Sequence, residues 1–197
     1  MNTELIFRLI TFLMLATAVG ISIYFRRKAD LEGGRKPTSE GRGLLVGLRL
    51  LALIALLPLL GYLLNPDWVA WARFSAPDWV RWLAAGVGLA TLPFVYWVFS
   101  SIGNNISPTQ TTRENHQLIT HGPYHWVRHP LYTTGFVLVV ALALLTTLWW
   151  LLVAMVLPLT ILLLRTSREE TRLIETFGDD YRDYMKRTGR FLPRWRS

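Results

Sequence analysis

The run from Pro130 to Leu164 is 35 residues long and contains no Asp, Glu, Lys, Arg or His. A bilayer's hydrocarbon core, about 30 Å thick, is crossed by about 20 apolar residues at about 1.5 Å rise each. The run is too long for one tilted helix and too short for two ordinary spans with a loop. It therefore reads as a tight helical hairpin turning near Thr146 and Thr147. Three further blocks, 5–24, 44–64 and 83–99, have the length and apolarity of single spans. The expected fold is an all-α membrane protein with five transmembrane helices, the last two forming the hairpin, and a cytosolic C-terminal helix. In domain terms, 1–99 holds three N-terminal spans, and 100–197 holds a cytosolic segment, the hairpin (130–164) and the C-terminal helix.

Charge supplies the orientation. The chain carries 21 Lys and Arg against 13 Asp and Glu, and the basic residues cluster: six lie in 26–42 and nine from Arg165 onward, against Arg73 and Arg81 alone in 65–82. That bias puts the N-terminus outside and the C-terminus in the cytosol, and it accounts for the basicity without a nucleic-acid partner. Arg49 lies close enough to the cytoplasmic end of the second block to snorkel. With no basic stretch before it and no cleavage site after it, the first block reads as a retained span. Pro66-Asp-Trp-Val69 is echoed by Pro77-Asp-Trp-Val80, and Trp68, Trp71, Trp79 and Trp82 are spaced as interfacial anchors. Gly86-Val-Gly88 lacks a third glycine and lies within a span, where small residues permit close helix packing rather than nucleotide binding.

All four histidines (His116, His121, His125, His129) fall within 14 residues just before the hairpin. Such polarity at a bilayer face is costly unless the groups are paired with each other or with a ligand. His121, His125 and His129 would share one face of a helix, as metal ligands do. Pro123 breaks that register, however, the chain has no cysteine, and Glu114 is the only acid nearby, so no metal is expected. The lack of cysteine also excludes disulfides and a thiol nucleophile. Where the apolar run ends, Arg165 and Glu169 lie one helical turn apart on one face. Elsewhere this pair would be a surface ion pair worth about 0.3–0.5 kcal/mol. Here a cation at the membrane side and an anion at the cytosolic side suit a reaction between a lipid-borne acid and a water-soluble cationic cofactor.

Asn104-Asn-Ile-Ser-Pro108, Arg113-Glu-Asn-His-Gln-Leu-Ile119, Gly122-Pro-Tyr124, Arg128-His-Pro-Leu-Tyr132, Glu169-Glu170, Phe177-Gly-Asp-Asp-Tyr181 and Thr188-Gly-Arg-Phe-Leu-Pro193 follow one another in the C-terminal half. Together they closely resemble the isoprenylcysteine carboxyl methyltransferase family, over about Ile102 to Pro193. The resemblance implies an integral membrane enzyme using S-adenosylmethionine. It implies cofactor contacts from His116, Gln117, Leu118 and Ile119, from Tyr124, and from His129, Pro130, Leu131 and Tyr132, with Glu169 closing the site. Arg165 corresponds to the family's substrate-contacting arginine, which makes Arg165 and Glu169 the implied catalytic pair. The expected partners are a lipophilic or prenylated substrate and membrane lipid.

The residue types suit that cofactor independently. Its carboxylate, ammonium, sulfonium and ribose diol call for backbone N–H groups, an anion such as Glu169, and rings such as Tyr124, His129 and Tyr132. Pro123 and Pro130 hold the backbone out of helix, leaving peptide groups for a ligand. A carboxylate acceptor is already ionised at neutral pH and needs alignment rather than a base. Its methylation removes one charge of each sign, which a low-dielectric boundary favours. The rivals are methylation of a phospholipid amine, which needs a base such as Glu170 or His125, and a reductase of the membrane sterol type, whose C-terminal region looks similar. A small transporter or scaffold is disfavoured, because no charge lies deep within a span.

Overall fold

The structure is a computed structural model describing residues 2–33, 42–102 and 118–194. Among these, the regular elements are helical, and β-pairing is limited to isolated bridges. Six α-helices are named here: α1 (Thr3–Gly33), α2 (Arg42–Leu64), α3 (Asp78–Ile102), α4 (Pro130–Thr146), α5 (Trp149–Phe177) and α6 (Asp179–Arg187). Short 3-10 helices occupy Pro66–Ala72 and Gly122–His125. His116, Gln117 and the Arg49 side chain lie outside the described residues.

Among the described residues, three helices are long and apolar enough to cross a membrane: Thr3–Leu31, Asp78–Ile102 and Trp149–Phe177, with mean hydropathies of 2.1, 1.6 and 1.9. Pro130–Thr146 is a shorter apolar helix, and Leu53–Leu64 is an apolar stretch within the 23-residue α2. The 17 residues of α4 reach about 26 Å at about 1.5 Å each, a little less than the bilayer core. The 29 residues of α5 exceed it at about 44 Å.

The chain forms two compact units. The first is drawn from Met1–Val19, Glu40–Pro93 and Phe136–Thr160. Phe7, Met14, Leu59, Tyr62, Leu145 and Leu148 are among its buried core. A Cβ at Gly88 would collide with the Met14 side chain, whereas one at Gly86 would meet nothing within 4 Å. Gly88 alone of that pair thus permits a close helix approach. Arg81 is almost fully buried. It donates to the Leu145 carbonyl (2.9 Å), to both carboxylate oxygens of Glu4 (2.8 and 3.1 Å) and to the Tyr62 hydroxyl (3.0 Å). Its guanidinium lies 3.9 Å from the centre of the Phe7 ring. This residue is a buried strut that caps the Leu145 carbonyl at the C-terminal end of α4, not a solvated loop charge.

Between α4 and α5 the helix breaks at Thr147, which has φ 58, a conformation rare for a β-branched residue. Neighbours hold it there: Phe74 N–H donates to its carbonyl (2.9 Å) and Arg73 Nε to its hydroxyl (3.1 Å). Trp68, Trp71, Trp79 and Trp82 are exposed, as interfacial anchors are.

The second unit is drawn from Gly20–Ser39, Phe94–Gly135 and Ile161–Ser197. Phe25, Ala29, Val95 and Phe99 are buried together, with Ile21, Ile102 and Leu131 packed against them. Phe25 stacks on Phe99 at 5.8 Å. This unit contains every described residue of the candidate site.

Candidate functional site

The histidine segment is built by its prolines and glycine. Pro123 lies in the first turn of the 3-10 helix Gly122–His125, where its missing N–H costs nothing. The preceding Gly122 has φ 61, and a Cβ there would collide with the hydroxyl of Ser101 on α3. Glycine is thus required twice at this position, for its dihedral and for the close approach. Pro130, also buried, opens α4. Between these two elements the chain pairs with the segment after α6. Arg128 N–H donates to the Gly189 carbonyl (2.9 Å), His129 N–H to the Arg190 carbonyl (3.1 Å), and Gly189 N–H back to Trp126 (3.2 Å). The three spaced histidines consequently do not share a helix face: His121 and His125 are exposed, whereas His129 is buried. Among the described residues, no three His, Cys, Asp or Glu side chains converge as metal ligands.

His129 stacks on Tyr132, with ring centres 5.5 Å apart and planes 5° from parallel, and Phe191 lies 5.8 Å away. The Tyr132 hydroxyl is 3.4 Å from Glu169 Oε2, adjacent rather than tightly bonded. The structure thus groups His129, Pro130, Tyr132 and Glu169. Leu131 turns instead into the apolar cluster around Phe25. Leu118 and Ile119 are part-buried coil leading into the segment, and Arg165 is part-buried on α5, four residues before Glu169. Tyr124 is buried, and its carbonyl accepts a hydrogen bond from the Tyr184 hydroxyl. Burial pushes the Tyr184 phenol up to about 12 and also raises Tyr124, so both are uncharged at neutral pH.

The densest polar centre was not singled out from the sequence. Glu170, not Glu169, is its hub. One carboxylate oxygen accepts from Arg128 Nε at 2.9 Å and lies 3.3 Å from His129 Nε2. The other meets Arg190 Nη2 at 2.9 Å. Arg128 also donates to the carbonyls of Met185 and Thr188. The hub therefore fastens three pieces of chain: the histidine segment, α5 and the tail after α6. Thr166 and Glu170 are both buried on α5. Their four-residue spacing, one helical stripe inward of Arg165 and Glu169, was the available signal. Because both oxygens of Glu170 are engaged, it is badly placed to take a proton from a substrate.

A sequence profile described as phospholipid methyltransferase matches residues 79–180, more than half of the chain. The chain belongs to the phospholipid methyltransferase family. Over 82 residues it is 34% identical to a nickel-cobalt-cadmium resistance protein of Alcaligenes xylosoxydans xylosoxydans. Over the same length it is 29% identical to a cobalt-zinc-cadmium resistance protein of Cupriavidus metallidurans. Each alignment covers 42% of this chain and 38% of the relative, so the match spans well under half the length of these proteins. Among solved structures, the fold is similar to that of a eukaryotic intramembrane Ras methyltransferase, the isoprenylcysteine carboxyl methyltransferase. The TM-score is 0.59 at 17% identity, covering 93% of this chain and 67% of that one. The resemblance read from the C-terminal motifs thus extends, as fold, to nearly the whole chain of this membrane methyltransferase family member.

Proposed function

We propose that the protein transfers a methyl group from S-adenosylmethionine to a lipophilic acceptor at the membrane boundary, and that the acceptor is the carboxylate of a prenylcysteine-like compound. The observation that carries this reading is the grouping of the stacked His129 and Tyr132 rings with Glu169, on the helix that bears Arg165 one turn earlier. The residues present fit the cofactor's chemistry: parallel rings, an acid beside a hydroxyl, and a non-helical backbone at 118–121. When bound, the cofactor supplies an electrophilic methyl group on a cationic sulfur. Glu169 would accept from its ammonium or ribose hydroxyls, with Tyr124, His129, Pro130 and Tyr132 forming the wall and Leu131 contributing main chain only, since its side chain packs into the cluster around Phe25. Leu118 and Ile119, with His116 and Gln117, would contribute the rest of the contacts.

Arg165 directly follows Leu163 and Leu164, both exposed apolar residues. From there its guanidinium can hold a carboxylate by paired hydrogen bonds while the acid's hydrocarbon stays in lipid. An ionised acid requires no base, which suits a centre whose buried acid, Glu170, is occupied by two arginines. The family description favours a second reading, methylation of a phospholipid amine, in which the exposed His125, or Glu169, would take the proton in place of the engaged Glu170. In both readings the chain crosses the bilayer five times, N-terminus outside, with the 118–129 segment and the C-terminal region on the cytosolic side.

Methyl-transfer assays with labelled S-adenosylmethionine, offering a prenylcysteine analogue or an aminophospholipid, test the proposal. Labelling of the prenylcysteine analogue as an ester supports it. Labelling of the amine alone replaces it with the second reading.

A further inference from the structure

A surface depression of about 530 Å³ opens beside the Glu170 hub and includes Arg128, Arg190, Arg194, Met185, Leu192 and Pro193 in its lining. Among the described residues, no carboxylate lines it. Arg128 and Arg190 share the single negative charge of Glu170, so one positive charge is left over before Arg194 is counted. Arg194 is exposed and donates to the Lys186 carbonyl at 3.0 Å. Of the acids of α6, Asp179 pairs with Arg182 and Asp183 with Lys186, and Asp180 does not line the depression. The Arg190 Nε–H is buried and, among the described residues, has no acceptor. Buried donors are nearly always satisfied, so this orphan on a residue of the cationic wall is a polar group still in want of an acceptor. The rim, in contrast, is apolar, with Met185, Pro193 and a 71% exposed Leu192.

The geometry points to a binding site for a phosphate ester in this depression. Guanidinium forks match the several oxygens of a phosphate, and the apolar rim accommodates the organic portion of the ester. The ligand is either the headgroup of an anionic phospholipid or a phosphate compound from solution. Because binding is read directly, the inference does not depend on the methyl-transfer reading.

The test uses the full chain in neutral detergent. Native mass spectrometry would measure retention of phosphatidylglycerol against phosphatidylcholine, and thermal unfolding would be followed with inorganic phosphate against chloride at equal ionic strength. Arg194→Gln removes one fork without touching the Glu170 hub. Leu192→Glu places an opposing charge at an exposed rim position and serves as the second variant should the first fold poorly. Preferential retention of phosphatidylglycerol, weakened about tenfold in either variant, the loss expected for one charge-assisted contact, establishes the site with a lipid headgroup as its ligand. Stabilisation by inorganic phosphate, lost in the variants, establishes it with a soluble source. Equal retention of the two lipids together with no effect of phosphate beyond chloride overturns the proposal. So do variants that bind like the parent. Displacement of the bound phosphate compound by S-adenosylhomocysteine would also overturn it, by making the depression part of the cofactor's own site.

Discussion

Tyr184 donates its hydroxyl to the main-chain carbonyl of Tyr124 at 2.6 Å, and both residues are buried. With the phenol raised to about 12 by burial, it remains a donor throughout the physiological range. The bond ties α6 to the 3-10 turn that carries Gly122 to His125. Tyr184→Phe should leave that carbonyl without a partner and cost about 1–3 kcal/mol. Hydrogen exchange across 121–128 should quicken while helices of the other unit are unaffected. Unchanged exchange would mean that the turn holds itself.

Removing the Glu170 side chain should be more damaging. Glu170→Ala leaves Arg128 and Arg190 without their shared anion, and breaking a buried ion pair from one side costs about 3–5 kcal/mol. Glu170→Gln keeps an acceptor but not the charge, and should lose less. Thermal unfolding of the two variants in detergent separates the contributions. Equal losses would make the hub a matter of hydrogen-bond geometry alone.

Gly122→Ala meets two obstacles, a φ of 61 and a collision with Ser101. The left-handed backbone alone costs a non-glycine residue about 1–2 kcal/mol. Adding Ser101→Gly should recover the steric part and not the conformational part. Full recovery in thermal unfolding would show that the dihedral is not a constraint.

The sequence was most legible where one-dimensional patterns carry the physics. Apolar length marked the helices, and the break between α4 and α5 falls at Thr147, in the uncharged run where a turn was expected. Two things were not legible. Arg81 stood in a stretch that looked like an outer connection, yet it is buried because Glu4, 77 residues earlier, meets it. The sequence offers Glu170 only as a base for an amine acceptor. Only the tertiary pairing of 126–129 with 189–190 reveals that it, rather than Glu169, bears the structural charge. Long-range ion pairs leave no period in a sequence, whereas helix faces do.

Sidedness is testable because the chain has no cysteine. Single cysteines replacing His125 and Lys186, both exposed, should react with an impermeant maleimide from the same side of oriented vesicles, and one replacing the exposed Trp68 from the opposite side. Reaction of positions 125 and 186 from opposite sides would rule out the five-crossing arrangement.

Arg165 and Glu169 should fail in opposite ways. If Arg165 holds an acid substrate, Arg165→Lys keeps the charge but loses the bidentate geometry. Turnover on a prenylcysteine analogue should then fall while S-adenosylmethionine affinity, read by titration calorimetry, stays near that of the parent. Glu169→Ala should instead weaken cofactor binding by about 1.5–3 kcal/mol, the worth of a charge-assisted hydrogen bond. With an amine acceptor the signs change, because a fixed cation beside a protonated amine is repulsive, and Arg165→Gln would leave turnover intact or raise it. Activity confined to the amine and indifferent to Arg165 would therefore remove the carboxylate assignment. Loss of cofactor affinity in Glu169→Ala would still tie that residue to the cofactor, because the titration contains no acceptor at all.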